Sequence, residues 1–298
     1  MTLRIATRRS PLALWQANHV ADLLTAADPS LDTMLVPIET NADRRLDVPI
    51  AELGGKGAFS KEIQAQVLTG HADIAVHSGK DLQAITPDGL VIGAILARGD
   101  ARDVLVGNTL TGLAPGARVG TGSNRRRVQL HLLRPDLVIE GIRGNIAKRL
   151  SQLDHFDAIV MAGIALERLG ITDQIVDPLD PDDMIPQVAQ GALIVECRAD
   201  DAATIAALGL IDHAPTHDVV AAERAFLVEL GGDCDLPAGA HCVRDGDQLV
   251  LTAMLADEDA TGDASGGRLL RATVRGTDGV ALGSSIARQL RDSLADDD

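Results

Sequence analysis

The chain of 298 residues is long enough for two or three domains, and its 46% hydrophobic content excludes a disordered chain. Its formal net charge of −16 argues against nucleic-acid binding and against docking to an anionic membrane surface. Aromatic residues make up only 1%, with no tyrosine, which excludes base stacking on aromatic side chains as the main activity.

The basic residues are unusual in kind, since only four of the 27 are lysines and the rest are arginines. A GC-rich genome produces the same bias, so composition leaves its cause open. An arginine side chain presents a planar guanidinium that binds carboxylates through two parallel hydrogen bonds. An acidic chain with local arginine clusters therefore suits a small ligand that carries several carboxylates.

The three cysteines, at positions 197, 234 and 242, do not form a CxxC pair, so we expect no bound metal. The sequence shows no charged-then-apolar leader and no apolar run of the ~18 residues that a membrane span needs. These features predict a cytoplasmic protein with reduced cysteines that binds neither membranes nor nucleic acid. We expect it to be a monomer.

The first part of the chain alternates short apolar strands with helices. The pattern predicts strands over 3–6, 34–38, 72–77 and 90–96, and helices over 12–26 and 60–68. This alternation indicates an α/β domain with a parallel sheet. The intervening loop GGKGAF lacks the spacing of a phosphate-binding P-loop.

Two polar turns at strand ends are the candidate binding sites of this part. The first strand runs through Arg8 and Ser10 into a helix, and the free N–H groups of a first helical turn bind anions. The alternative is that Ser10 only caps that helix. The strand over 72–77 delivers Lys80 and Asp81 at its carboxyl end, where ligands of open α/β sheets gather. A solvated ion pair or a helix cap is the alternative there.

The polar connector 97–103 (ARGDARD) is interpreted as the crossing into a second α/β domain. That domain repeats the order of strand, Arg/Gly/Ser turn and helix, with strands over 118–121, 137–142 and 156–161. Its helix over 125–133 opens with three arginines, whose charge opposes the helix dipole. The cluster indicates a bound anion, with a surface patch as the alternative.

The last third of the chain predicts a smaller α+β domain. A loop over 180–190 returns toward the first domain, and a strand over 191–198 follows, in which Cys197 looks structural. A helix over 215–230, antiparallel strands over 248–255 and 268–275, a polar turn over 257–267 and a helix over 280–294 complete the chain.

Cys234 lies in a polar, glycine-containing loop, GGDCDLPAG. A structural cysteine would normally sit among apolar residues, since free cysteine is among the most buried residue types. Glycine allows another group to approach the backbone closely. The loop therefore suits a thiol that reacts or carries a group covalently, and an inert surface or packing cysteine is the alternative.

Seven segments together resemble the porphobilinogen deaminases, also called hydroxymethylbilane synthases. They are RIATRRSPLALWQA, ELGGKGAF, DIAVHSGKD, GTGSNRRRVQL, IRGNIAKRL, PQVAQGALIVECR and AERAFLVELGGDCDLPAG. The resemblance covers nearly the whole chain, in the family's order and spacing. It implies two periplasmic-binding-protein-like (type II) α/β domains, 1–98 with 191–212 and 99–190, and a small C-terminal α+β domain, 213–298, that bears the cofactor cysteine.

The resemblance also implies a reaction. Four porphobilinogen units, each losing ammonia, add to a dipyrromethane cofactor that Cys234 holds by a thioether, and the linear tetrapyrrole is then released by hydrolysis. Asp81 matches the catalytic carboxylate. The implied cofactor contacts are Cys234, Lys80, Asp81, Thr121, Ser123, Arg125 and Arg126, and the implied substrate contacts are Arg8, Ser10, Gln16, Lys56, Phe59, Arg143, Arg149 and Gln190.

These residue types suit that chemistry, because each pyrrole unit carries an acetate and a propionate that arginines bind strongly. Loss of ammonia leaves an electron-poor azafulvenium, which a carboxylate near the pyrrole nitrogens would stabilise. The sequence departs from the family's usual residues at Gly79, Gln83, Gly122, Asn124 and Asp233. None of these departures removes a named catalytic group, so we expect them to affect how active the protein is more than which reaction it catalyses.

Two other classes of protein compete with the enzyme hypothesis. A non-catalytic, two-lobed binding protein for a small anion explains the arginine turns but leaves Cys234 and Asp81 without a task. A thiol hydrolase or transferase needs a histidine close to the sulfur. His241 is the nearest candidate in sequence, and nothing in the sequence places it beside Cys234.

Overall fold

The computed structural model describes residues 1–40, 60–231, 236–257 and 267–295. The chain divides into two compact units, one of Met1–Gly99 with Gly191–Val220 and one of Asp100–Gln190 with Ala221–Asp298. The three-domain division drawn from the sequence stays a prediction. Within the described ranges, no helix is both long and apolar enough to cross a bilayer.

The first unit is built on a five-stranded sheet in the order β2-β1-β3-β10-β4. Its strands are β1 (Thr2–Arg8), β2 (Asp32–Ile38), β3 (Ile74–Ser78), β4 (Leu90–Ile95) and β10 (Leu193–Arg198), and its helices are α1 (Pro11–Ala27), α2 (Lys61–Leu68) and α6 (Ala202–Gly209). The prediction of a parallel sheet is wrong in one respect, because β10 pairs antiparallel with both β3 and β4. β10 is the first strand after the chain returns to this unit at Gly191. A helical crossover within the unit, which parallel pairing requires, does not precede it.

Helices cover both faces of this sheet. Val20 and Leu24 of α1 pack into one apolar core, and Ile63 and Val67 of α2 pack into another. Strands buried on both faces read as continuous apolar runs, which is why they were recognisable in the sequence. Cys197 is fully buried in the α1 core, so its structural role is confirmed.

The second unit contains a five-stranded sheet in the order β7-β6-β8-β5-β9. Its elements are β5 (Asp103–Val106), β6 (Arg118–Gly120), β7 (Val138–Glu140), β8 (Ala158–Ala162), β9 (Asp177–Pro178), α3 (Asn124–Leu133), α4 (Ile146–Leu150) and α5 (Gly163–Arg168). β5 is antiparallel to β8, and it too is the first strand after the chain enters its unit. The predicted connector 97–103 is therefore too long, because β5 already begins at Asp103 and is buried throughout.

The C-terminal part holds a three-stranded antiparallel sheet, β11-β12-β13. Its elements are β11 (Ala238–Asp245), β12 (Gln248–Ala256), β13 (Leu269–Gly276), α7 (Ala214–Glu229) and α8 (Gly279–Ala295). The sequence patterns missed β11 and α6. The polar turn predicted over 257–267 lies, apart from its two ends, outside the described residues. Gly283 lets α8 approach α7, since a Cβ there would overlap the carbonyl oxygen of Ala222.

Candidate active site

A cleft in the first unit opens where the adjacent parallel strands β1 and β3 end, beside the first turns of α1 and α2. The described residues that line it are Arg8, Ser10, Leu12, Ala13, Gln16, Ser60, Ile63, Val76, His77, Ser78 and Asp81. Carboxyl ends of neighbouring parallel strands meet at one edge of a sheet. The cleft therefore brings together the two polar turns that the sequence indicated as separate binding sites.

The first turn of α1 supplies polar hydrogen-bonding groups to this cleft. The Ser10 hydroxyl oxygen accepts a hydrogen bond from Ala13 N at 3.3 Å, and Pro11 occupies the first helical position. Ser10 is thus a helix cap, as the alternative hypothesis held. Its hydroxyl proton still allows it to donate to a ligand in the cleft, which Arg8 also lines.

Gln16 and Asp81 frame the end of β3. The buried Gln16 side chain donates from Nε2 to the Ser78 hydroxyl at 2.8 Å and so ties α1 to this strand end. A 3₁₀ turn, Gly79–Asp81, follows at once and carries Lys80. Asp81 is exposed and lines the cleft, so its carboxylate is accessible to a ligand.

A second polar cluster lies inside the second unit, around Asp103. Arg125 Nη2 donates to Asp103 Oδ2 at 2.7 Å, and Arg126 Nη2 donates to Asp103 Oδ1 at 2.8 Å. Gln190 Nε2 donates to the same Oδ1, also at 2.8 Å. All four side chains are buried. One carboxylate thus gathers three residues that the sequence had proposed for cofactor or substrate contacts.

The charges of this cluster are strongly coupled. Burial by itself raises the pKa of the Asp103 carboxyl, but the charges of Arg125 and Arg126 outweigh burial and hold that pKa well below its usual range. Burial lowers the pKa of Arg125, against the opposing effect of Asp103. The cluster carries two cations and one anion, so it retains a net positive charge that suits an acidic ligand.

Replacing Asp103 with asparagine is expected to lower the free energy of unfolding by about 3–5 kcal/mol, because the change leaves two buried guanidiniums without a counter-charge. The carboxylate's contribution is complete above the unfolded pKa of 3.8 and is lost as the pH falls toward the lower folded pKa. Urea unfolding of the unaltered protein and of Asp103→Asn should be measured at pH 7 and pH 3. The difference between their free energies of unfolding should be about 1 kcal/mol smaller at pH 3. An equal difference at both pH values would contradict this linkage.

The turn before α3 brings Thr121 and Ser123 to the start of the arginine helix. Ser123 N donates to the Thr121 hydroxyl at 3.3 Å, and the Ser123 side chain does not cap α3. A Cβ at Gly122 would lie 2.8 Å from the carbonyl oxygen of Ile142. The glycine at position 122, where the family usually has a larger residue, therefore allows this turn to lie close to the backbone of Ile142. A larger residue would displace the turn.

Arg143 and Arg149 flank the next turn of the second unit. Arg143 is exposed, and Arg149 is half-buried and donates from Nε to the carbonyl oxygen of Gly144 at 2.8 Å. The Asn145 side chain caps α4 by accepting from Lys148 N. The strand, turn and helix order predicted here is present, and the ligand-binding roles of the two arginines stay predictions.

Comparison with known proteins identifies the family. The model described as "Porphobilinogen deaminase, dipyromethane cofactor binding domain" matches residues 3–206, and "Porphobilinogen deaminase, C-terminal domain" matches residues 218–292. The chain belongs to the porphobilinogen deaminase family. The porphobilinogen deaminase of Xanthomonas axonopodis pv. citri is 46% identical, with 99% of this chain and 97% of that protein covered. The porphobilinogen deaminase of Acidithiobacillus ferrooxidans is 45% identical, with 97% and 94% covered.

The fold class predicted from the sequence is confirmed at the level of its layers: two mixed α/β sheets with helices, and a small C-terminal part with an antiparallel sheet and helices. Its type II periplasmic-binding-protein character stays a prediction. Among solved structures, the periplasmic VFT2 domain of Bordetella pertussis BvgS is similar with a TM-score of 0.44 and 14% identity, covering 75% of this chain and 92% of that one.

The residues present fit the dipyrromethane of the porphobilinogen deaminase family. Arg125 and Arg126 each have a buried Nε that lacks a hydrogen-bond acceptor among the described residues. Within the first unit, the cleft by itself holds Arg8 and Ser10 as donors and Asp81 as an acceptor. Cationic donors for carboxylates and a carboxylate for pyrrole N–H groups are the partners that such a group needs.

Three of the predicted site residues belong to ranges that the structure does not describe. Cys234, Lys56 and Phe59 lie outside the described residues.

The sequence interpretation also missed two polar residues of the fold, Asp103 and Glu196. Each stands in an apolar run, as DVLV and LIVECR show, and a single acidic residue in such a run is the signal that could have found them.

Proposed function

We propose that this chain condenses porphobilinogen, with loss of ammonia at each addition, into a linear tetrapyrrole that is released by hydrolysis. It is a transferase of the porphobilinogen deaminase (hydroxymethylbilane synthase) type. The observation that carries the proposal is the cleft in which Asp81 is accessible beside Arg8 and Ser10, in a chain that family models match over most of its length.

Arginine and hydroxyl donors recognise the substrate. Each porphobilinogen unit carries an acetate and a propionate, and guanidinium–carboxylate pairs orient as well as attract such groups. Arg8 and Ser10 hold the carboxylates of a porphobilinogen molecule in the cleft of the protein's first unit. Arg143 and Arg149 are proposed to contact the growing chain, with Lys56, Phe59, Gln16 and Gln190 as further substrate contacts.

Asp81 performs the chemical role at this site. Its exposed carboxylate accepts a hydrogen bond from the N–H group of a bound pyrrole and stabilises the positive charge that develops as ammonia leaves. The same carboxylate is placed to accept or return a proton during the condensation. Gln16 supports this geometry, because its bond to Ser78 fixes the strand end from which the Gly79–Asp81 turn begins.

Cys234 is proposed to hold a dipyrromethane, which when bound would supply the pyrrole carbon that the first substrate molecule joins. Lys80, Thr121, Ser123, Arg125 and Arg126 are proposed to hold its carboxylate side chains. We expect the protein to act as a cytoplasmic monomer. Its acidic composition favours binding to neither membranes nor nucleic acid.

A turnover assay tests this function against the small-anion binding protein. Incubation of the purified protein with porphobilinogen should release ammonia in proportion to substrate consumed, with four ammonia for each linear tetrapyrrole. A binding protein would retain porphobilinogen without releasing ammonia. That result, from a protein that carries the dipyrromethane mass, would overturn the proposal.

A further inference from the structure

Three buried polar side chains meet beneath the cleft, on elements that are distant in sequence. Glu196 of β10 accepts a hydrogen bond at Oε2 from Gln64 Nε2 of α2, at 2.9 Å. His77 Nε2 of β3 lies 3.1 Å from the same Oε2. We name Gln64, His77 and Glu196 the Glu196 cluster.

The Glu196 cluster joins these elements at a cost in free energy, because its polar groups are removed from water. Glu196 is fully buried, and the exposed fractions of Gln64 and His77 are 2% and 7%. Within the described part of the chain, Oε1 of Glu196, Oε1 of Gln64 and Nε2 of His77 have no hydrogen-bond partner. The 3.1 Å approach of His77 to Glu196 is therefore an ion-pair contact without hydrogen-bond geometry. A partly satisfied buried network stabilises a fold less than apolar packing does. Stability alone is therefore a poor explanation for a carboxylate at this place.

The position of the cluster suggests what it does. His77 lines the cleft and directly precedes Ser78, which Gln16 holds, and the turn that carries Asp81 follows. On the other wall, Ser60 and Ile63 at the start of α2 also line the cleft. One oxygen atom of Glu196 contacts Gln64 of α2 and His77 of β3, so this residue links the helix to the end of the strand.

We propose that Glu196 is a positioning residue, which acts through Gln64 and His77 to hold the two walls of the Asp81 cleft at the separation that porphobilinogen needs. The inference rests on the proposed function, because it assumes that this cleft binds the substrate. No reacting atom touches Glu196, which is fully buried behind the cleft wall. Its effect is on the geometry of the walls, and misplacement of about 1 Å can reduce a rate by about 100-fold.

Steady-state kinetics of Glu196→Ala and His77→Ala tests the proposal, with the covalent adduct verified by intact mass. We expect kcat/KM for porphobilinogen to fall about 10- to 100-fold in each, with changes in both KM and kcat. Because the two residues act through one contact, the double variant should fall no further than the worse single variant. Glu196→Gln should recover most of the loss, since its amide oxygen can accept from Gln64 as Oε2 does.

Asp73→Asn is the matched structural control. Asp73 precedes β3 at the opposite end of the strand and accepts hydrogen bonds from Arg4, at 2.9 Å from Nε and 2.7 Å from Nη2. It does not line the cleft. The control should lose thermal stability with kcat and KM unchanged, whereas the Glu196 variants should lose rate at a temperature at which circular dichroism shows them to be folded. Gln64→Leu breaks the same link if Glu196→Ala does not fold.

Normal kinetics in Glu196→Ala or in Gln64→Leu would overturn the positioning role. So would a Glu196→Gln protein as slow as Glu196→Ala, or losses that add in the double variant. Asp81→Ala, measured beside them, separates this inference from the proposed function. If Asp81→Ala also turned over normally, the assignment of the cleft itself would fail, whereas an inactive Asp81→Ala with normal Glu196 variants would reject only the inference.

Discussion

Replacing Asp81 with alanine is expected to lower porphobilinogen turnover by at least about 100-fold, because a fixed carboxylate that moves protons and stabilises a cation contributes at least that much. The Asp81 side chain is exposed at the cleft, so its loss leaves no buried group without a partner and the fold should persist. We expect the variant to retain all or most of its covalent adduct, since attachment is through Cys234. Steady-state assay and intact-mass measurement on one preparation check both statements.

Asp88→Asn is the matched control for that experiment. Asp88 is also an exposed aspartate in the segment that follows β3, and it does not line the cleft. Turnover by the control should equal that of the unaltered protein. Near-normal turnover by Asp81→Ala would remove Asp81 from the catalytic role, and equal losses in both variants would point to a general effect of charge.

Replacing Cys234 with serine is expected to abolish turnover and to remove a fixed mass excess of two linked pyrrole units. The reason is that the serine hydroxyl cannot form the thioether by which the proposed function attaches the dipyrromethane to residue 234. Expression alongside abundant porphobilinogen, followed by intact-mass measurement, distinguishes a failure of attachment from a shortage of precursor. A bare thiol at Cys234 in the unaltered protein under those conditions would overturn covalent attachment.

Cys197→Ala is the matched control for the cysteine experiment. Cys197 is buried in the α1 core, and burial raises the pKa of its thiol to about 11, so almost no reactive thiolate is present at neutral pH. It therefore cannot serve as a second attachment point. The control should keep the full mass excess and its activity, and loss of the excess would mean that the wrong cysteine has been assigned.

The residues of the cleft illustrate what local sequence can predict. Arg8 and Ser10 follow an apolar strand and open a helix, and Asp81 follows another apolar strand. Each pattern spans about ten residues, and the chemistry of a strand end next to a helix start depends on those residues alone. The structure confirms that these turns line one cleft, and the family match agrees with the motifs that carried the resemblance.

The sequence by itself determined the family, the alternation of strands and helices and the turns that bear Arg8 and Asp81, because periodicity and motifs are properties of neighbouring residues. Only the tertiary structure decided that β5 and β10 run antiparallel, that Asp103 gathers Arg125 and Arg126, and that Glu196 lies against Gln64 and His77. Gln64 and Glu196 are 132 positions apart. Contacts at that separation depend on how the sheets pair and pack, and a lone acid in an apolar run shows only that some partner must exist.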